Sequence, residues 1–387
     1  METNSLQHAI KRWRYDLTPE AFAKVMSAIA KESTPWEAAV AFLKQANEAK
    51  PNDPLILRIL GGALLEHGNA EEAMVYYERM FDVAQDDRTY REAYADAILQ
   101  LGFWREAWAL YETIPGFNKD NPAFPKFPWP VWDGTEPLAG ARALVVTSQG
   151  FGDAIMMARY VEWLKHHGCI PTLLVYPKLE RLFKRTIPET VIDLPDDAEF
   201  DCVVYLQDLL LHLSLTPETV YGTGAYLTAD PLVPPPPEIN PMLINVGLCW
   251  GGNPNQSNDP NRSILNLEVL RPLLDNPMLV CHSLQVGKRA NEAVALGMKV
   301  AEFSDYAETA DFIQHLDIVV TVDTSIAHLA GAMGKPCYVM LCKQPDWRYY
   351  PYGDVCCWYP EKMRLFVQSA YQDWAGVIRR INAKLGG

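Results

Sequence analysis

The chain has 387 residues, enough for two or three domains, and its 49% hydrophobic and 21% charged residues are those of an ordinary globular protein. A formal net charge of −14, acidic in both the first 117 residues and the remainder, excludes a general nucleic-acid or anionic-membrane surface. The eight cysteines sit mostly in apolar runs without CxxC spacing, and neither a signal-like segment nor a membrane-spanning run is present, so a cytoplasmic protein without metal or redox cysteines is expected.

Residues 1–117 read as helix throughout and repeat with a 34-residue period. Gly68, Ala73 and Tyr77 recur as Gly102, Ala107 and Tyr111, the pattern of helix–turn–helix solenoids such as tetratricopeptide repeats. Small residues let paired helices cross closely, and Tyr or Leu fills the seam. Such a module either braces the rest of the chain or offers a docking groove to a protein partner. Residues 118–138, NKDNPAFPKFPWPVWDGTEPL, are Pro-rich and aromatic, which predicts an ordered linker.

From Ala143 short apolar runs alternate with amphipathic segments. ALVVTS, TLLVY and CVVYL, separated by helices over 153–167 and 179–185, predict a first parallel α/β lobe over 139–235. PLVPPPPEINP (231–241) is a stiff hinge. INVGLCW, MLVCHSL, DIVVTV and CYVMLC then predict a second lobe over 236–387, with helices over 308–315 and 325–333 and a final crossing helix over 373–385. The expected class is therefore α/β with an all-α N-terminal module: two facing Rossmann-like lobes whose ligands lie at the carboxyl ends of the strands.

Three segments carry chemistry. In TSQGFGD (147–153), Gly150 and Gly152 allow a tight turn and close backbone approach, while Asp153 is either a helix cap or a reactive carboxylate. This is no nicotinamide fingerprint, because Ile155 stands where GxGxxG needs its third glycine. In VDTSIAHLAG (322–331), a strand delivers Asp323 to its carboxyl end, and Thr324 or Ser325 caps the next helix. The free N–H groups there suit a phosphate, with His328 one turn further on as a donor or as a core histidine. An ionised Asp323 ending an apolar strand needs a partner, and sugar or ribose hydroxyls would serve. In WGGNPNQSNDPNRS (250–263), a Gly- and Asn-rich loop containing Asn253, Arg262 and Ser263 suits a diphosphate requiring one cation.

Together, GFGDAIMMARY, VGLCWGGNPNQSNDPNRS, SLQVGK, VDTSIAHLAGAMGKP, PDWRYY and WYPEKMRLFVQ resemble glycosyltransferase family 9, the group containing bacterial heptosyltransferases, in the branch that carries tetratricopeptide repeats. The resemblance spans about residues 130–385. It implies a glycosyltransferase B type fold, with donor on the C-terminal lobe and acceptor on the N-terminal lobe. It further implies Asp153 as general base, and Asp323, Thr324, Ser325 and His328 at the donor diphosphate and sugar. Asn253, Arg262 and Ser263 would lie beside the donor, and Gln285 with Val286 would line the base. Phe151 in place of a smaller residue, and Arg262 in place of Lys, depart from the heptosyltransferase pattern. The implied reaction is inverting transfer from a nucleotide-diphosphate sugar to a glycan or protein hydroxyl, with no metal and no cofactor. The rival readings are an O-GlcNAc-transferase-like protein glycosyltransferase and a catalytically silent nucleotide-sugar-binding scaffold.

Overall fold

The computed structural model describes residues 36–114, 125–147, 149–222, 224–256, 258–350 and 353–386; the start of the expected repeat module and Asn118–Phe124 of the expected linker lie outside them. The chain divides into two compact units, Met1–Ala97 and Ile98–Gly387. In the first unit, α1 (Trp36–Ala49), α2 (Pro54–Glu66) and α3 (Ala70–Ala84) pack in sequence, and α4 (Arg88–Gln100) runs through the boundary. Asp53 starts α2 by accepting from the backbone N–H of Leu55 and Ile56, with Pro54 at the first helical position, where its missing N–H does no harm. Tyr77 of α3 lies so close to α2 that a Cβ on Gly61 would come within 2.9 Å of its ring. This is the small-residue crossing expected of the repeat. Leu43, Leu57, Leu60, Ala73 and Met80 fill the seam.

The helix α5 (Trp104–Glu112) completes the second 34-residue period. Gly68 and Gly102 both adopt positive φ (84° and 91°). Each closes the same turn, with the glycine N–H donating to Leu65 O or Leu99 O and the next N–H donating to Leu64 O or Ile98 O. Yet α5 belongs to the second unit, which begins at Ile98. The physical reason is aromatic: Trp104 and Trp108 are buried against Trp347, with ring centroids 5.1 and 5.8 Å away and edge-on geometry.

The second unit holds two parallel sheets. The first lobe contains β1 (Arg142–Val146), α6 (Phe151–Met157), α7 (Arg159–His166), β2 (Ile170–Leu174), α8 (Pro177–Lys184), β3 (Thr190–Val191), β4 (Cys202–Tyr205) and α9 (Asp208–His212). Its strand order is β3-β2-β1-β4, in register from Ala143 opposite Pro171 and Cys202. The single expected helix over 153–167 is two, meeting at Ala158. The described part of the Pro-rich segment docks on this lobe. Val131 bridges Val203 in parallel, Trp132 N donates to Val203 O, and Phe127 and Trp129 pack on Leu144, Val146, Val203 and Tyr205.

The second lobe contains β5 (Ile244–Cys249), α10 (Asp259–Arg262), α11 (Arg271–Leu274), β6 (Leu279–Ser283), α12 (Glu292–Ala295), α13 (Tyr306–Ile313), β7 (Ile318–Val322), α14 (Ser325–Ala332), β8 (Cys337–Leu341), β9 (Met363–Val367) and α15 (Trp374–Lys384). The order is β6-β5-β7-β8-β9. All four pairings are parallel, so each strand end delivers its loop to the same edge. Rather than crossing back over the first lobe, α15 buries Trp374, Val377, Ile378 and Ile381 in the core of the second, with Val246, Leu248 and Ile318. The fold is thus helical repeats followed by two Rossmann-like lobes. Among the described residues no helix is long and apolar enough to cross a membrane.

Ion pairs fix the lobes to each other away from the strand ends. Arg185, at the end of α8, donates to both carboxylate oxygens of Asp311 on α13 at 2.7 and 2.9 Å. Asp311 also accepts from Asp230 N, just before the hinge, at 2.8 Å. Burial would push the Asp311 carboxyl up, but Arg185 and the backbone donor outweigh it and hold it below its ordinary range.

Candidate functional site

The N-terminal turns of α6 and α14 meet where the strand ends of the two sheets face each other. Gly150 caps α6 in an extended conformation (φ −65°, ψ 165°) that any residue could adopt, so the turn itself does not demand glycine. Gly152 is where the close approach falls. A Cβ there would lie 3.1 Å from His328 Cδ2 and 3.4 Å from the Ser325 Cα, and its absence lets one lobe approach the other. Phe151 beside it fills space between Tyr176 and Tyr306, 5.4 and 5.2 Å between centroids. Asp153 is in the first turn of α6 but makes no capping bond. Its Oδ1 instead pairs with Arg348 Nη2 at 2.7 Å, both side chains about one-fifth exposed. The carboxylate is aimed across the cleft.

On the second lobe, Thr324 caps α14 by accepting from Ile326 N, and Ser325 Oγ lies 2.7 Å from Tyr306 Oη. His328 is buried. Its Nδ1 is 3.4 Å from Tyr359 Oη, and its ring stacks on Tyr349. Burial, opposed by Asp153 and reinforced by Arg348, lowers its pKa to about 4, so it is a neutral imidazole near pH 7 with one N–H to give. Asp323 accepts from Tyr349 Oη at 3.0 Å and faces Arg262 Nη1 at 3.8 Å. Burial first, and Asp346 second, raise its pKa.

The glycine loop is built from within. Ser263 Oγ accepts from Gly252 N and donates to Asp259 Oδ1, while Asp259 Oδ2 takes Arg289 Nη2 at 2.6 Å. Gln285 Oε1 accepts from the N–H groups of Trp250 and Gly251, and its Nε2 donates to Gly251 O. Ser263 and Gln285 therefore shape the loop with their polar atoms. Val286 is 44% exposed and Asn253 is exposed, its Oδ1 receiving Asn255 N. Arg262 contacts Gln256, yet its Nε is buried without a partner among the described residues. Arg348 Nε is left in the same state, and each of these donors has a hydrogen bond still to give.

The structure thus brings Asp153, Arg262, Asp323, Thr324, Ser325 and His328 into one cleft. It adds residues that sequence reasoning left without a role: Arg348, Asp346, Tyr349 and Tyr306. Arg348 and Tyr349 belong to the PDWRYY stretch and follow β8, so their position after a parallel strand was the available signal. Arg348 is gripped on three sides: Asp153, Asp346 Oδ1 at 2.8 Å and the Trp347 face at 4.5 Å. Burial would lower its pKa, but the two carboxylates raise it above its ordinary value.

Comparison with known proteins agrees with the resemblance read from the sequence. Residues 36–97 match the tetratricopeptide repeat profile, and residues 279–354 match that of glycosyltransferase family 9 (heptosyltransferase). Protein FlbA of Caulobacter vibrioides is 25% identical over 434 residues, covering 90% of this chain and 69% of FlbA. Among solved structures, the Escherichia coli ADP-heptose lps heptosyltransferase II aligns at 12% identity over 63% of this chain and 98% of its own, with a TM-score of 0.43. The O-GlcNAc transferase of Thermobaculum terrenum aligns at 12% identity over 99% and 86%, with a TM-score of 0.34. The chain thus carries one segment that matches the tetratricopeptide repeat and one that matches glycosyltransferase family 9.

Proposed function

We propose that this repeat-bearing glycosyltransferase moves a sugar from a nucleoside-diphosphate donor to a hydroxyl of a glycan or protein acceptor, with inversion and without a metal. The observation that carries the reading is the placement of Asp153 opposite the first turn of α14, with Oδ1 on Arg348 and Oδ2 left to accept a proton. The donor diphosphate would lie at the N-terminus of α14, where the helix dipole favours an anion, with Arg262 supplying the cation through its orphaned Nε. Asp323, at that same end, would hold sugar or ribose hydroxyls.

In the reaction, Asp153 takes the proton of the acceptor hydroxyl as its oxygen forms a bond to the anomeric carbon. The bond from that carbon to the phosphate oxygen breaks, and the nucleoside diphosphate leaves with the electron pair. Its new charge is met by Arg262 and the α14 terminus. The neutral His328 can donate a hydrogen bond to the same group.

A thermal-shift panel of ADP-, UDP-, GDP- and dTDP-sugars tests the donor, because a ligand that binds only the folded state must raise its melting temperature. One nucleotide class should stabilise the protein, and product NMR from an α-linked donor should show a β-linkage, unaltered by a chelator. Stabilisation by no nucleotide sugar would sink the reading. Stabilisation without hydrolysis or transfer on any acceptor would instead make the chain a silent scaffold.

A further inference from the structure

We propose that Arg348 is the positioning residue for Asp153, and that α5, the last repeat helix, sets Arg348 through Trp347; this rests on Asp153 acting as the base. Arg348 is held at both terminal nitrogens and on its guanidinium face, while its buried Nε has no partner among the described residues. Its Nη2 meets Asp153 Oδ1, its Nη1 meets Asp346 Oδ1, and its guanidinium lies over the Trp347 ring. Its backbone N–H donates to Asp346 Oδ1, and its carbonyl accepts from Trp358 Nε1 at 2.8 Å. An arginine so fixed leaves Asp153 one orientation and keeps Oδ2 for the hydroxyl proton. Errors of about 1 Å in such a group cost on the order of a hundredfold in rate.

The platform under Arg348 comes from α5. Trp347 is boxed edge-on by Trp104 and Trp108, and Trp104 also stacks on Trp358, 6.2 Å between centroids. Two hydrogen bonds tie down α5 and the turn that leads into it. Gln100, ahead of it, donates to Pro345 O at 3.3 Å, and Trp108 Nε1 donates to Leu215 O of the first lobe at 2.6 Å. A Cβ on Gly102 would strike the Tyr350 ring. The helix is thus seated on both lobes, against the loop that aims the carboxylate. Besides Arg348, the titratable groups facing Asp153 are His328 on α14 and Tyr176 at the start of α8, with Asp346 behind Arg348.

The test uses the full chain with Arg348→Gln, Arg348→Lys, Trp104→Leu and Trp104→Phe, alone and combined with Asp153→Asn. Arg348→Gln should lower kcat roughly tenfold to a hundredfold with donor KM nearly unchanged. Arg348→Lys should recover part of the rate. Trp104→Leu should lower kcat in the wild-type background and add nothing to Asp153→Asn, with Trp104→Phe milder and serving if the leucine variant does not fold. A crystal structure of Arg348→Gln needs no turnover and should show the Asp153 carboxylate turned from its wild-type orientation or in more than one conformer. An unmoved carboxylate, or a Trp104 loss that adds fully to that of Asp153→Asn, overturns the proposal. A moved carboxylate with no turnover of any donor leaves Arg348's role standing and fails the functional reading alone.

Discussion

Asp153 of the first lobe and Arg348 of the second form a 2.7 Å ion pair across the cleft between the two sheets. The pair joins a carboxylate that the sequence singles out to an arginine that it leaves unassigned. It holds Asp153 Oδ1 in a fixed contact.

Replacing Asp153 by Asn removes the basic oxygen while keeping the shape. Turnover should fall by about 10²–10⁴-fold, the usual contribution of a general base, while donor affinity stays close to wild type and the melting temperature falls with the loss of the charged partner of Arg348. Steady-state kinetics beside a donor titration make the check. Near-normal transfer would leave Asp153 as an interlobe contact and no more.

How much of this was legible in the sequence depends on how local each feature is. Asp323, Thr324, Ser325 and His328 lie on one strand end and one helix turn, so period and capping preference placed them together. The role of Arg348 was not readable, because Asp153 and Trp104 reach it only through the tertiary fold. Gln285 hid its work for another reason: it binds backbone N–H groups of Trp250 and Gly251, and backbone partners leave no residue pattern. The allegiance of α5 is similar. Its period says repeat, but its two tryptophans bury against the transferase side. The two-residue β3 is too short to signal at all.

Arg262→Ala should weaken nucleotide-sugar binding by on the order of 1.5–3 kcal/mol, the value of a hydrogen bond to a charged group. Asp323→Ala should also weaken it, through lost contacts to hydroxyls and through Arg262, which faces it at 3.8 Å. Because the two residues are neighbours, the losses should not add. Calorimetry with the stabilising donor measures both. Unchanged affinity in both variants would move the nucleotide site elsewhere.

The Arg185–Asp311 pair makes a prediction about stability and pH. The folded Asp311 carboxyl is held below its ordinary range, so its contribution is present above the unfolded carboxylate pKa and is lost as pH falls through the folded value. At pH 7 Asp311→Asn should cost on the order of 1.5–3 kcal/mol. The gap in melting temperature between wild type and variant should then narrow below about pH 4. A gap that stays constant down to pH 3 would show that the pair's charge is immaterial.

The last prediction concerns where the catalytic unit begins. A chain starting at Pro130 keeps every donor-site residue, and a boundary at 117 would leave it sound. The structure predicts otherwise. Such a chain lacks α5, and with it the buried Trp104 and Trp108 that box Trp347. Removing a buried tryptophan typically costs about 3–5 kcal/mol, a large share of a typical total stability of about 5–15 kcal/mol. It also lacks Phe127 and Trp129, which cover Leu144, Val146, Val203 and Tyr205, and so bares part of the first lobe's core. The expected result is an insoluble or non-cooperatively melting product without donor binding. Full-length Trp104→Phe, which keeps a ring in place, should remain soluble and bind donor. Expression, thermal melts and donor titration of the two side by side decide the matter. A soluble chain from Pro130 that transfers sugar at the full-length rate would show that α5 is dispensable to the lobes it packs against.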